Sequence, residues 1–77
     1  MEIKVLGPGC SKCKVMTSLV EKAIKKLGLN EKIILVKDFE EILSYGVMST
    51  PVLIVDGEIK ISGRIGSLKE IMAFLDK

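Results

Sequence analysis

Cys10 and Cys13 are the two cysteines of this 77-residue chain, and no histidine accompanies them. They stand two residues apart in Gly7-Pro8-Gly9-Cys10-Ser11-Lys12-Cys13-Lys14. A Cys-x-x-Cys pair serves three kinds of chemistry: holding a metal, cross-linking a fold, or exchanging a disulfide with another molecule. A structural zinc site needs four ligands, so one chain cannot build it, although two chains sharing their cysteines can. A soft ion such as Cu(I) or mercury is satisfied by fewer thiolates and stays open as a cargo. Exchange requires an accessible thiolate and a second sulfur that resolves the mixed disulfide.

The elements around the pair favour that last use. From Cys13 the apolar residues fall at 13, 16, 20, 24 and 27, with Val15, Leu19 and Ala23 widening the stripe. This spacing predicts a helix that stops at Gly28 and Asn30. A helix starting at Ser11 puts Cys10 at its N-cap. The sulfur there faces free backbone N–H groups, that of Cys13 included, and the positive end of the helix dipole. Lys12 and Lys14 add positive potential. Such surroundings lower a thiol pKa from about 8.5 to roughly 3.5–7.5. Cys13, one turn in, lies on the apolar stripe and is expected to be buried. Cys10 is then the nucleophile and Cys13 the resolving thiol. Gly7 and Gly9 leave little side chain beside Cys10, so a partner backbone can approach.

The remaining chain reads as short elements. Residues 2–6 alternate and form a strand ended by Gly7-Pro8-Gly9. Ile33-Ile34-Leu35-Val36 is a continuous apolar run, expected to be a strand covered on both faces. Asp38-Phe39-Glu40-Glu41 starts a short helix carrying Phe39, Ile42 and Leu43. Pro51 opens the run Val52-Leu53-Ile54-Val55, and Asp56-Gly57 turns it into the alternating Glu58-Ile59-Lys60-Ile61. Ser67-Leu68-Lys69-Glu70 is a capping box for a last helix with Leu68, Ile71, Met72 and Leu75 on one face. The order is β-α-β-α-β-β-α, which predicts an α/β fold with a mixed four-stranded sheet and helices on both faces. Strand 1 is expected to pair in parallel with strand 2 and to neighbour strand 3 in a parallel arrangement. Met16, Met72, Phe39 and Tyr45 read as packing residues, and Met48 as either a site-lining or a loop residue.

Bulk properties bound the function. Hydrophobic residues make up 48% and charged residues 29% of the chain, so it has the means for a core and is not a disordered segment. The net charge of +2 comes from scattered lysines and arginines, which argues against nucleic acid as partner. No signal peptide pattern and no apolar run of membrane-spanning length is visible, so a cytoplasmic location is expected. A reducing compartment makes a purely structural cross-link a poor use of the two cysteines.

The order of elements, with Cys10-Ser11-Lys12-Cys13 at the junction of strand 1 and helix 1 and Ser49-Thr50-Pro51 opening strand 3, resembles the thioredoxin and glutaredoxin superfamily. It is most similar to the minimal redox-active disulfide proteins of archaea and bacteria. The resemblance spans the whole chain and implies one thioredoxin-like domain over residues 1–77. It implies that Cys10 and Cys13 form the redox-active disulfide with no further cofactor, and that the Thr50–Pro51 bond is cis with Pro51 against that disulfide. Catalysis would rest on Cys10, Cys13 and Pro51. A substrate segment would lie along Gly9, Ser11, Lys12, Thr50 and Gly63, adding to the Thr50 backbone like a strand. The implied activity is thiol–disulfide exchange with protein disulfides by a monomer, without metal. The implied electron source is a flavin-dependent reductase of the thioredoxin reductase kind. Ser62-Gly63-Arg64-Ile65-Gly66 lacks the Gly-Gly pair and acidic residues by which glutaredoxins hold glutathione, so glutathione is not the expected reductant. The rival is a Cu(I) or mercury carrier domain, similar in length. Its β-α-β-β-α-β order has no helix at residues 38–45, and it usually carries Met where this chain has Pro8.

Overall fold

The computed structural model describes residues 1–9 and 11–76. Its elements are β1 (Ile3–Leu6), α1 (Ser11–Leu27), β2 (Ile33–Val36), α2 (Phe39–Ser44), β3 (Val52–Val55), β4 (Glu58–Ser62) and α3 (Leu68–Leu75). The expected order therefore stands, and the four strands form one sheet in the order β2-β1-β3-β4.

Local chemistry sets most of the boundaries. Gly28 takes a positive φ of 69°, and the amides of Gly28 and Leu29 donate to the carbonyls of Lys25 and Ile24, closing α1 in a Schellman motif. Asp38 caps α2, its side chain accepting from the amide of Glu40. Asp56 and Gly57 have φ of 51° and 81°, the backbone of a two-residue type I′ hairpin joining Val55 to Glu58. Ser67 caps α3 by accepting from the Glu70 amide at 3.1 Å. The reciprocal half of the capping box is absent, because the Glu70 carboxylate is engaged by Arg64.

β1 pairs in parallel with β2 and antiparallel with β3. The antiparallel pairing corrects the expected parallel one, and the correction matters. Only an antiparallel register sets the end of β1 beside the start of β3, as Leu6 opposite Val52 shows. Alternation along β3 divides the core: Leu53 and Val55 pack with Ile3, Val5, Met16, Val20, Ile71 and Leu75 under α1 and α3. Val52 and Ile54 pack with Leu6, Val36, Ile42 and Val47 under α2.

Three other expectations need correction. β2 is an edge strand, half open to solvent: Ile34 and Leu35 are 46% and 48% exposed. An uninterrupted apolar run does not reveal whether its second face is covered. Phe39 is 64% exposed and packs little, because α2 has only six residues and buries Ile42 alone. Val15 also faces solvent, lying outside the stripe that buries Cys13, Met16, Val20, Ala23 and Ile24.

Candidate active site

The site gathers where β1 ends, α1 begins and β3 starts. Gly7 continues β1, and its amide donates to the Val36 carbonyl at 2.9 Å. It is buried against Cys13: a Cβ built on Gly7 would collide with Cys13 Sγ and lie 2.9 Å from Cys13 Cβ. Glycine here is a demand of close approach, since its φ is not in the positive region that only glycine tolerates well.

Cys13 lies in the first turn of α1, is 4% exposed and is disulfide-bonded. Its carbonyl accepts from Thr17 Oγ1 at 2.9 Å. Cys10, which the sequence assigns the nucleophile's role, falls outside the described residues. α1 starts at Ser11, immediately after it, with no acidic side chain in its first turn. Ser11, Lys12 and Lys14 are exposed there. Gly9 is exposed with φ of 96° and open space where a side chain would be.

From the opposite strand come Thr50 and Pro51. The Thr50–Pro51 peptide bond is cis, Pro51 is fully buried and Thr50 partly so. One residue beyond the last β1–β3 pair, Gly7 stands on one strand and Pro51 on the other. The loop after β4 closes on this segment. The Gly63 amide donates to the Pro51 carbonyl at 3.0 Å, and a Cβ on Gly63 would lie 3.0 Å from Ser49 Cβ. Its φ of 76° also favours glycine. Arg64 then anchors the loop with a two-pronged pair to Glu70, 2.7 and 2.6 Å. That pair raises the Arg64 pKa and holds the Glu70 carboxyl below the usual carboxylate range.

Among the described residues no polar or charged side chain is buried, so no buried acid or base serves Cys13. Of the four strand-end residues that the sequence offers for such a part, Glu2 turns its carboxylate to Lys4 at 3.6 Å and Asp38 caps α2. Lys4 donates to Tyr45 Oη at 2.7 Å on the α2 side, which raises its pKa. Lys37 alone reaches the neighbourhood of Cys13. It lines a cavity of about 220 Å³ shared by Cys13, Gly7, Leu35, Lys14 and Glu21. Met48, three residues before Pro51, is 97% exposed.

Residues 1–76 match the family model described as a thioredoxin domain. This chain belongs to the thioredoxin family. A thioredoxin of Methanothermobacter thermautotrophicus is 37% identical over 75 residues, covering 97% of each chain. A thioredoxin of Methanocaldococcus jannaschii is 38% identical over 69 residues, covering 90% of this chain and 79% of its own. Thioredoxin-family membership agrees with the mixed sheet and its three helices. Two contacts escaped sequence reasoning. Gly7 reads as part of a turn, and only the packing reveals that its missing side chain makes room for Cys13. Gly63 reads as bordering the substrate segment, and only the hydrogen bond to Pro51 shows that it ties the β4 loop to the site.

Proposed function

We propose that this thioredoxin-family chain is a thiol–disulfide oxidoreductase acting on protein disulfides through Cys10 and Cys13. The observation that carries the reading is Cys13: buried, disulfide-bonded, seated in the first turn of α1 against Gly7, at the end of the sheet where β3 begins with Pro51. A core cysteine needed only for packing has no reason to be bonded, and Pro51 stands across from Gly7, the residue packed on Cys13.

The reaction divides between two sulfurs. Cys10, as thiolate, attacks one sulfur of a substrate disulfide, forming a mixed disulfide and expelling the other substrate sulfur as thiolate. Cys13 then loses its proton and attacks the Cys10 sulfur. This closes the intramolecular disulfide and releases the second substrate thiolate. Two electrons pass from the dithiol to the substrate, and the two expelled thiolates take up the protons that the dithiol gives away. The α1 amides and dipole, with Lys12 and Lys14, favour the thiolate at position 10. Gly9, Ser11, Lys12, Thr50 and Gly63 border the place where a substrate segment would lie. No cofactor beyond the cysteine pair is needed.

Electrons would return from a flavin-dependent dithiol reductase. Glutathione is disfavoured, because Arg64 is committed to Glu70 and Ile65 is an apolar residue where polar anchors are wanted. No helix among the described residues is long and apolar enough to cross a membrane, and the proposed setting is the cytoplasm. The test is reduction of insulin by dithiothreitol with and without the protein, beside Cu(I) and zinc titrations. Accelerated reduction without tight metal uptake supports exchange. Stoichiometric tight metal binding with no acceleration would transfer the pair to metal carriage.

A further inference from the structure

The sheet has two edges, and they are finished differently. β4 is broken by a bulge: the register slips between Leu53 and Ile54, leaving Lys60 unopposed. It also carries the Glu58–Lys60 ion pair at 2.8 Å. Bulges and edge charges are the usual guards against strand addition. β2 has neither. Its register with β1 is unbroken through all four residues, and all four, Ile33-Ile34-Leu35-Val36, are apolar. Ile34 and Leu35 are half exposed, one on each face.

We propose that this edge pairs with the β2 edge of a second copy of the chain, in an antiparallel arrangement with Ile34 opposite Ile34. Backbone parity limits the choices. The Gly7 amide donates to the Val36 carbonyl, so Val36, and Ile34 two residues before it, direct their backbone groups inward to β1. Ile33 and Leu35 then direct theirs outward. An added antiparallel strand must set outward residues opposite outward residues, which excludes Ile34 opposite Leu35. That excluded register is also the one that sets Lys32 on Lys37 and Glu31 on Asp38.

Charge selects among the rest. The strand is flanked by Glu31-Lys32 before it and Lys37-Asp38 after it, a sign pattern that reads the same in both directions. With Ile34 on the two-fold axis, Ile33 meets Leu35 and Glu31 meets Lys37, each pairing occurring twice. With Leu35 on the axis, Lys37 would face Ile33 and Lys32 would meet Asp38, whose carboxylate is already committed to capping α2. A parallel pairing in register would put Glu31 on Glu31 and Lys37 on Lys37. Self-complementarity of this kind fits a second copy better than an unrelated strand. Glu31 keeps a long contact with the Met1 ammonium, 3.5 Å, within its own chain. Leu35 and Lys37 also line the cavity beside Cys13, so in the dimer Glu31 of the second copy reaches the rim of that cavity. Four residues a side make a reversible contact, so the expected monomer describes dilute protein. The inference rests on the fold and not on the exchange reaction.

The test is sedimentation equilibrium from micromolar to millimolar concentration, with amide hydrogen exchange on the same samples. The weight-average mass is expected to rise toward twice the monomer. The amides of Ile33 and Leu35 are expected to gain protection with concentration, while those of Ile34 and Val36 are protected throughout. Glu31→Lys and Lys37→Glu should each weaken association about tenfold, and the two together should restore it. A mass that stays monomeric at millimolar concentration overturns the proposal and leaves β2 to a client strand. Association that leaves the Ile33 and Leu35 amides unchanged, or that the paired substitution does not rescue, overturns it equally.

Discussion

The two faces of the sheet are packed to different depths. Under α1 and α3 the described residues include eleven buried apolar side chains in one cluster, and under α2 only six. Cys13 belongs to α1 on the deep face, one turn before the fully buried Met16, so the helix that carries it is held by the larger cluster. The shallow face leaves Phe39, Leu43 and Met48 in solvent. A chain of this size has material for one deep layer, and it is spent where a reactive group must be held still.

The largest effect should follow from opening the deep layer. Met16→Ala removes a fully buried side chain and should lower stability by about 2–5 kcal/mol, read as a drop in the denaturant midpoint. A loss as small as that of a surface substitution would show the two faces to be equivalent. Gly7→Ala should come next. Its methyl group collides with Cys13, and overpacking of this kind costs about 1–3 kcal/mol. Disulfide exchange should fall with it, since the sulfur must move; unchanged exchange would remove Gly7 from the site.

On the shallow face, Phe39→Ala should change stability by no more than about 0.5 kcal/mol, because the ring is mostly in solvent. A larger loss would show that α2 contributes to the core through Phe39. The smallest effect concerns pH. Arg64 holds the Glu70 carboxyl below its ordinary value, so the pair stabilises the fold above the ordinary carboxylate range. That contribution fades as pH falls through that range and is gone below the lowered folded value. Arg64 is exposed and Glu70 partly so, and Glu70→Gln should therefore only slightly flatten the acid limb of stability against pH. An unchanged acid limb would leave the pair without a stabilising role.

The same contrast explains what could be read in the sequence. On the deep face, helical spacing from Cys13 to Leu27 names the buried residues of α1 almost one by one. Asp56-Gly57 and Ser67 announce a hairpin and a cap because each rests on one local hydrogen-bonding or φ requirement. The failures fall where neighbours decide. Whether Ile34 and Leu35 are covered depends on which strands flank β2. Whether Phe39 is buried depends on how short α2 is. That β3 runs antiparallel to β1 depends on how α2 and its following loop return the chain. At the site, the residues of the motif and the Thr50–Pro51 pair are legible. The service of Gly7 to Cys13 and the tie from Gly63 to Pro51 are contacts between distant segments, which no local pattern encodes.

The central claim is the division of labour between the two cysteines. It is tested most directly by incubating the Cys13→Ser variant with a disulfide-containing protein and mapping the adduct by peptide mass analysis without reduction. The account predicts a stable mixed disulfide on Cys10, because the sulfur that would resolve it is gone, while Cys10→Ser forms no comparable adduct. Prompt turnover by Cys13→Ser without a trapped species, or an adduct formed on Cys13 in the Cys10→Ser variant at a matching rate, would contradict it.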